Sequence, residues 1–537
     1  MMTLRGWAAL ALATLSLFLA ACSGGSDDGA ATPPAPLEPR SGGIAVVGSI
    51  TAPENLNPYL GMSTIESGVQ RRLFPALAYR DPSRPDGHRP GLAESWSFSE
   101  DRLTCTFKLA DARWSDGKPI TASDVRFTWQ TQISAELRWP SAGSKELIRD
   151  VEVVDPRTVV FHYEKQSPYQ LEDTVDGMIL PEHVFGAVPL AEWREHDWNN
   201  PPVSGGPYLL EEFRAADSVR LVRNPDYFGP PAYLDEILLR IVPLQSNLIA
   251  QLRAGEMHYA DGISARSAQP LYRDDRLQVV EFDSAGFEFI AWNNRRAPMN
   301  DRRFRQAMTM AINREALVEE ILFDKGSVTG GPFRQGTWEQ DSDLEPWPYD
   351  PDQAGRLLDE LGWTRPADGG TRRKDGKPLT LEILVQSGNE RREAVLIAAQ
   401  AQLARVGIEI GITSLEFGTI RSRVGQGDYD GLIQSWTFTT GKVDIEALFA
   451  SHRPGEMNIV GYDSQVMNDL LDRAYGSETR EQAKPLLDEI QQLLHRDQPY
   501  SFLYRVGRIG VVQERIHDVA GFDAADPLGP LDRAWLE

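Results

Sequence analysis

The side chains that most often carry catalytic chemistry show no catalytic spacing in this sequence of 537 residues. Its eight histidines are scattered, and the motifs H-E-x-x-H, G-x-S-x-G, G-x-x-x-x-G-K-S/T and G-x-G-x-x-G are absent. Acidic pairs such as Asp428 and Asp430 are expected by chance among 78 acidic residues. The two cysteines, Cys22 and Cys105, are too few for a thiolate metal site. We therefore predict that the protein is not an enzyme and holds no metal or cofactor.

Aromatic and amide side chains offer chemistry of another kind, because a solute-binding cleft needs apolar surfaces and a few converging polar groups. Asn293 and Asn294 follow an apolar, strand-like segment and could hydrogen-bond the backbone of a ligand. The candidate aromatic surfaces are Trp292, Trp338, Phe417 and Trp436. Each aromatic ring could equally pack in a core, and the asparagines could equally occupy a turn.

The local elements that must position such side chains are clearest between Leu92 and Trp129. Residues alternate between apolar and polar with a period of two, as in a strand with one buried face. The apolar positions are Leu103, Cys105, Phe107 and Leu109. A turn, S-D-G-K-P, follows at 115–119, and Thr121 then stands where a helix N-cap would, with Asp124 three residues later. We predict a strand that buries Cys105, a turn, and a helix that begins after Thr121.

The residue identities in this stretch resemble those of a known family. The blocks A-E-S-W, S-E-D-x-L-T-x-T-F-K-L and W-S-D-G-K-P-I-T-A-S-D-V are similar to the signature region of the extracytoplasmic solute-binding proteins of family 5. These are the oligopeptide- and dipeptide-binding proteins of ABC importers. S-G-G-P-Y from Ser204, with one glycine more than the usual motif, and D-R-R-F-R-Q-A from Asp301 resemble the same family. The resemblance runs in ordered blocks from about Gly42 to Tyr504.

The resemblance implies an α/β fold with two lobes, of the periplasmic-binding-protein-like type II class, with an extra subdomain in the first lobe. The first lobe would comprise residues 41–280 and 503–537, with the subdomain at about 65–200, and the second lobe residues 281–502. Crossings near Val280–Gly286 and Gln498–Phe502 would join the lobes, so that they close on a ligand by a hinge motion. A chain of this length is expected to form more than one core.

A function follows from the same resemblance. The protein would act as a monomer that captures a peptide or peptide-like solute between its lobes and delivers it to the permease and ATPase complex of an ABC importer. In the family, the segment after an Asn-Pro turn lines the cleft, and here that segment includes Met62, Ser63 and Thr64. We expect these three residues to contact the ligand.

The sequence departs from the peptide-binding pattern after Trp436. The peptide-binding branch usually has an aspartate shortly after the matching tryptophan, and that aspartate pairs with the α-ammonium of the peptide. Here Thr437 and Thr439 follow, and the next acid is Asp444. Burying an ammonium without a carboxylate partner would cost on the order of several kcal/mol of binding free energy. Either Asp444 takes over this role, or the ligand lacks a free amino terminus.

Other functions stay open at this level. The family also includes binders of sugars, nickel complexes and other metabolites, although the scattered histidines do not support nickel or a heme-like ligand. The same fold could serve as an envelope sensor or chaperone. An envelope hydrolase would need a nucleophile–base pair or a metal, and the sequence offers neither. The net charge of −23 argues against nucleic-acid binding, which requires a basic surface.

The amino terminus indicates export. Arg5 precedes an apolar run from Trp7 to Ala21, which is short for a membrane span but suits a signal-peptide core. Residues 19–22, L-A-A-C, resemble the bacterial lipoprotein cleavage box, so we predict a signal peptide at 1–21 and a lipid on Cys22. Residues 22–40 are rich in Gly, Ser and Pro and would form a tether. The protein would be anchored outside the cytoplasm, on the periplasmic side or at the cell surface. An ordinary signal peptide with a coincidental cysteine is the alternative.

Overall fold

A computed structural model describes residues 38–61, 63–81, 87–200, 203–283, 286–437, 442–452, 457–520, 522 and 526–537. The predicted signal peptide, the lipid site Cys22 and most of the tether lie outside these residues, as do Met62 and Thr439. Within the described ranges, no helix is long and apolar enough to cross a membrane.

The strands of the described chain are mostly short. In chain order they are β1 (Ile44–Ser49), β2 (Ala78–Arg80), β3 (His88–Pro90), β4 (Ala93–Phe98), β5 (Thr104–Leu109), β6 (Ile148–Asp155), β7 (Thr158–Tyr163), β8 (Tyr208–Arg214), β9 (Ser218–Arg223), β10 (Glu236–Ile241), β11 (Tyr259–Asp261), β12 (Leu277–Asp283), β13 (Gly286–Trp292), β14 (Gly326–Val328), β15 (Arg373–Lys374), β16 (Lys377–Pro378), β17 (Thr380–Gln386), β18 (Glu409–Leu415), β19 (Gly431–Thr437), β20 (Tyr500–Gln513), β21 (Ile516–His517) and β22 (Trp535–Leu536).

Helices separate many of these strands. They are α1 (Thr64–Leu73), α2 (Ala122–Gln132), α3 (Gln170–Val175), α4 (Glu182–Phe185), α5 (Gln245–Ala254), α6 (Ala265–Ala268), α7 (Arg302–Met310), α8 (Arg314–Leu322), α9 (Pro351–Glu360), α10 (Glu390–Arg405), α11 (Phe417–Gly425), α12 (Ile445–Phe449), α13 (Gln465–Tyr475) and α14 (Arg480–Asp497).

The largest sheet has the strand order β18-β17-β19-β13-β20-β11-β1-β10-β9-β8, with β12 and β14 also paired to β20. β20 connects its two parts. Tyr504 lies opposite Glu288 of β13, whereas Gly507 lies opposite Asp283 of β12. The strand therefore changes partners between Tyr504 and Gly507, slightly beyond the predicted crossing at Gln498–Phe502.

A second sheet has the order β4-β5-β7-β6. Its strands β4 and β5 come from the segment Leu92–Trp129, for which the sequence predicted the local structure in most detail. Cys105 on β5 is fully buried, and burial raises the pKa of its thiol to about 12. The N–H of Thr121 donates to Asp124 at 2.8 Å, and α2 begins at the next residue. The strand, the buried cysteine, the capped helix and the mixed α/β class are confirmed, but Leu103 precedes the strand and is 37% exposed, so it does not belong to the buried face.

Buried apolar side chains form separate clusters. One cluster unites β1, α1, the second sheet and α2 with residues near the carboxyl terminus, such as Leu528. A smaller cluster packs α5 against β20 through Leu248 and Val511. Two further clusters are built from residues between Phe287 and Tyr504. Leu503 and Tyr504 pack in one of these two, although the predicted boundary assigns them to the first lobe.

A buried arginine on α1 joins the carboxyl-terminal segment to the first of these clusters. Arg72 on α1 is 1% exposed, and its guanidinium pairs with Asp526 at 2.6 Å and with Asp532 at 2.7 Å. It also donates to the carbonyl oxygen of Gly68 at 3.2 Å. The two carboxylates therefore compensate a guanidinium that has almost no access to water.

A second buried ion pair lies in the part built from residues after Phe287. Glu288 on β13 is 1% exposed, and its carboxylate pairs with Arg391 and, at 2.6 Å, with Arg392. Arg392 continues to β19, where it donates to Gln434 at 2.8 Å and to Ser435 at 2.7 Å. This network fastens α10 to two neighbouring strands.

Candidate ligand-binding site

Three aromatic rings from distant parts of the chain meet beside the short helix α3. Tyr169, the residue before α3, is 2% exposed. Its ring lies 5.3 Å from Trp338 and 5.7 Å from Tyr475, measured between ring centroids. We call these three residues the aromatic seam. They bring the segment around α3 into contact with two segments that lie far along the sequence.

Two ion pairs reinforce the aromatic seam. The ammonium of Lys442 lies 2.9 Å from one carboxylate oxygen of Asp173 on α3. Arg480, at the start of α14, pairs with Glu172, which is on α3 beside Asp173. Its guanidinium also lies 5.3 Å over the ring of Trp338. Residues separated by 269 and 308 positions are thereby held together.

A buried lysine holds the end of α3 in place. The ammonium of Lys145 donates to the carbonyl oxygens of Asp173, Thr174 (3.2 Å) and Asp176 (2.8 Å). These carbonyls belong to the last turn of the helix and its end, where cations are favoured. Burial lowers the pKa of Lys145 to about 8, and the charge of Lys442 acts in the same direction. Burial also raises the pKa of the Asp173 and Asp176 carboxyls, and the two lysines oppose that shift.

The surroundings of Lys145 predict a pH dependence of stability. The folded state binds the Lys145 proton less tightly than the unfolded state. The buried ammonium therefore destabilises the folded state fully below pH 8, and this destabilisation disappears as the pH rises toward 10.5. Relative to Lys145→Met, we expect the parent protein to gain free energy of unfolding across this window, on the order of 3 kcal/mol at most. Urea unfolding of both proteins between pH 7 and 10.5 measures the difference, and parallel stability curves would contradict it.

The seam contains an unpartnered hydroxyl and has acidic groups around it. Within the described residues, the hydroxyl of Tyr169 is buried and has no hydrogen-bond partner. Burial raises the pKa of the Glu339 carboxyl, and Glu339 acts electrostatically on both tyrosines of the seam. Asp444 and Glu446 add negative charge near the hydroxyl of Tyr475. The seam thus combines aromatic faces with a surplus of carboxylates.

Two of the residues predicted to bind ligand belong to this site. Trp338 is one wall of the aromatic seam. Asp444 lies near Tyr475, but it is also the N-cap of α12, where its carboxylate accepts the N–H of Ala447 at 3.0 Å. Part of its hydrogen-bonding capacity is therefore already used by the helix.

The structure revises the predicted ligand contacts of Trp292 and Asn293. Trp292 is fully buried, and its indole N–H donates to Ser501 at 2.9 Å. Asn293 is 1% exposed, and its amide donates to the carbonyls of Gly427 and Tyr429 at 3.0 and 2.9 Å. Every residue of β13 is buried because the strand is central in the sheet and a hydrophobic cluster covers each of its faces. Trp292 is therefore a core residue, and Asn293 anchors a turn.

Ser63 and Thr64 have a structural role at the start of α1. Ser63 caps the helix: its backbone N–H donates to Glu66 at 2.8 Å, and its hydroxyl accepts the N–H of Glu66 at 3.3 Å. Thr64 is the first residue of the helix. Glu66 also accepts the N–H groups of Glu54 and Asn55, so it organises the loop before the helix. Ligand contact by Ser63 and Thr64 stays a proposal.

The remaining predicted residues are not brought together with the seam by a described contact. The indole of half-buried Trp436 donates to Tyr500 at 3.3 Å, and its ring stacks on Phe289. Thr437 is exposed at the end of β19. Phe417 begins α11 and is 42% exposed. Trp436, Thr437 and Phe417 stay predictions.

Most residues of the seam and its ion pairs carry no recognisable sequence signal. Tyr169 follows a Ser-Pro pair, and Lys442 and Tyr475 occur in segments without a family motif. Their importance depends on contacts across more than 250 residues, which local patterns do not encode. Among the described residues, no group of three or more His, Cys, Asp or Glu side chains could hold a metal ion.

Comparison with known proteins identifies one family. Residues 88–448 match the family described as "Bacterial extracellular solute-binding proteins, family 5 Middle". The oligopeptide-binding protein AppA of Bacillus subtilis is 27% identical over 532 residues, which cover 98% of this chain and 97% of that protein.

Solved structures agree with this match. The structure of AppA from Bacillus subtilis in complex with a nonapeptide has a TM-score of 0.77 and 26% identity, and covers 93% of this chain and 100% of its own. NikA from Brucella suis, in complex with Fe(III)-EDTA, has a TM-score of 0.82 and 22% identity over 92% of this chain and 100% of its own.

Proposed function

Because the chain belongs to the bacterial extracellular solute-binding proteins of family 5, we propose that it captures a peptide between two lobes and delivers it to the permease of an ABC importer. The predicted family and the predicted two-lobed fold are confirmed. Members of this family are solute-binding components of transporters. Peptide is the proposed ligand class because the relative matched over 98% of the chain is described as an oligopeptide-binding protein.

The separate hydrophobic clusters support a division into the predicted lobes. The first lobe contains the second sheet and the carboxyl-terminal residues, and the second is built around β13, β17 and β19. The chain passes between them at β12–β13 and again within β20, where the pairing partner changes. Few backbone positions connect the lobes, which suits a hinge.

The aromatic seam is the observation that carries the proposal. It joins Tyr169 and α3, which belong to the proposed first lobe, to Trp338, Lys442 and Tyr475 of the proposed second lobe. Aromatic faces with a few converging polar groups are what a solute-binding cleft requires. Opening of the lobes would separate the two sides of the seam and give a ligand access to its rings and to the carboxylates around them.

Attachment to the membrane is a further part of the proposal. It rests on the apolar run before Cys22, on the similarity of residues 19–22 to a lipoprotein cleavage box, and on the Gly-, Ser- and Pro-rich tether. A lipid on Cys22 would keep the receptor near its permease. Extracytoplasmic location agrees with the description of the family.

Peptide binding can be tested by thermal shift with pools of random peptides, including nonapeptides. A binding pool at a hundredfold excess over its Kd is expected to stabilise the protein by about 2.7 kcal/mol. Trp338→Ala should reduce the affinity by about tenfold or more, because truncating a central aromatic contact often costs about 2 kcal/mol. Absence of stabilisation by every pool would refute the proposal.

Trp347→Ala is the matched control for Trp338→Ala. Trp347 is also a half-buried tryptophan of the proposed second lobe, but its ring stacks on His495 and no described contact links it to the seam. Its substitution should leave the ligand-induced shift unchanged. Equal losses in the two variants would place the ligand elsewhere.

A further inference from the structure

The ammonium of Lys442 occupies a position that resembles a binding site for a cation. It lies 2.9 and 3.2 Å from the two carboxylate oxygens of Asp173. It also lies 4.4 Å over the ring of Tyr169 and 5.7 Å from the ring of Tyr475. A carboxylate and two aromatic faces are the groups that bind ammonium ions most effectively.

The other cations near the seam are already engaged. Lys145 donates to three carbonyl oxygens at the end of α3. Arg480 pairs with Glu172 and covers Trp338. Lys442 is therefore the cation that pairs directly with the side chain of Asp173.

We propose that Lys442 is a specificity-determining residue, because its ammonium fills the cation subsite formed by Tyr169, Asp173 and Tyr475. A ligand bound beside it then presents an uncharged group at this end of the cleft, because the single charge of Lys442 is already paired with Asp173. The consequence for ligands rests on the proposed function, whereas the subsite itself does not.

The position of Lys442 favours one of the two alternatives that the sequence left open, a ligand without a free amino terminus. An α-ammonium held by Asp444 would have to lie close to the charge of Lys442, and the two cations would repel each other. Asp444 already caps α12. A ligand without a free amino terminus avoids both conflicts.

The subsite can be tested without any peptide. Lys442→Ala removes a propylammonium group, so the melting temperature should fall by about 1–2 °C in a chain of this length. Propylammonium at about 100 mM should restore roughly half of that loss by binding to the folded state, and propanol should not. The parent protein should not respond. Lys442→Met, which fills the same volume without charge, should lose stability and gain nothing from propylammonium.

Selectivity is the second readout. Random nonapeptide pools with free and with acetylated amino termini are compared by thermal shift. The parent protein should bind the acetylated pool at least as well as the free pool, whereas Lys442→Ala should prefer the free pool by about tenfold. Lys325→Ala is the matched control, because Lys325 also pairs with a carboxylate, Glu281, and lies 4.8 Å over a tyrosine ring, outside the seam.

The outcomes separate the two proposals. A parent protein that prefers free peptides and loses this preference on Asp444→Asn would overturn the role of Lys442. A loss of stability that propylammonium does not repair would overturn the subsite. If neither pool bound the parent protein, the proposed function would fail, and the propylammonium result would still decide whether the subsite exists.

Discussion

Glu288→Ala is expected to lower the free energy of unfolding by about 3–5 kcal/mol, because it leaves buried arginine charge without its partner. The Glu288 carboxylate is 1% exposed and binds Arg391 and Arg392 together. Arg392 is 8% exposed, so water cannot replace the lost carboxylate. Denaturant unfolding followed by circular dichroism measures the loss.

We expect the loss of stability to be greatest around β13 and β19. Arg392 also binds Gln434 and Ser435 on β19, next to Trp436. Loosening the network should therefore increase amide hydrogen exchange in β13 and β19 more than in the first lobe. Uniform acceleration across the chain would contradict this mechanism.

Glu281→Ala is the matched control. Glu281 lies on β12, the strand that precedes β13 in the chain, and pairs with Lys325 at 2.8 Å, but its side chain is 41% exposed. Ion pairs in such positions contribute about 0–1 kcal/mol. If the two substitutions cost the same, burial is not what makes Glu288 important.

Local sequence patterns predicted the elements that depend on few residues. The alternation around Cys105 and the pairing of Thr121 with Asp124 need only neighbours within a strand or a helical turn. The fold class came from the order of the family blocks along the chain, which is information of a different kind. Both were confirmed by the structure and the comparisons.

Individual site residues were harder to predict, because exposure is decided by tertiary packing. Trp292 and Asn293 have side chains that suit a ligand, but the strand that ends at Trp292 is covered by a hydrophobic cluster on each face and is buried throughout. The aromatic seam shows the converse. Tyr169, Lys442 and Tyr475 belong to no motif, and they become a candidate site only where the chain brings them together.

The cluster around Arg72 leads to the second large effect. Asp526→Ala or Asp532→Ala alone should cost about 1 kcal/mol, because the other carboxylate still pairs with the guanidinium. The double substitution should cost about 3–5 kcal/mol, more than the sum, because Arg72 is 1% exposed and cannot lose its proton at any ordinary pH. Such non-additivity is expected for residues that share one partner.

Restoring stability by removing the arginine tests the cause. Adding Arg72→Met to the double variant should recover most of the loss, because an apolar side chain of similar length has no charge to compensate. The exposed pair Arg157–Glu94 supplies the control, and Glu94→Ala should cost less than about 1 kcal/mol. Urea unfolding of the four variants at Arg72, Asp526 and Asp532 provides the measurement. A triple variant no more stable than the double variant would show that the carboxylates stabilise the carboxyl-terminal segment by contacts of their own, independently of the charge on Arg72.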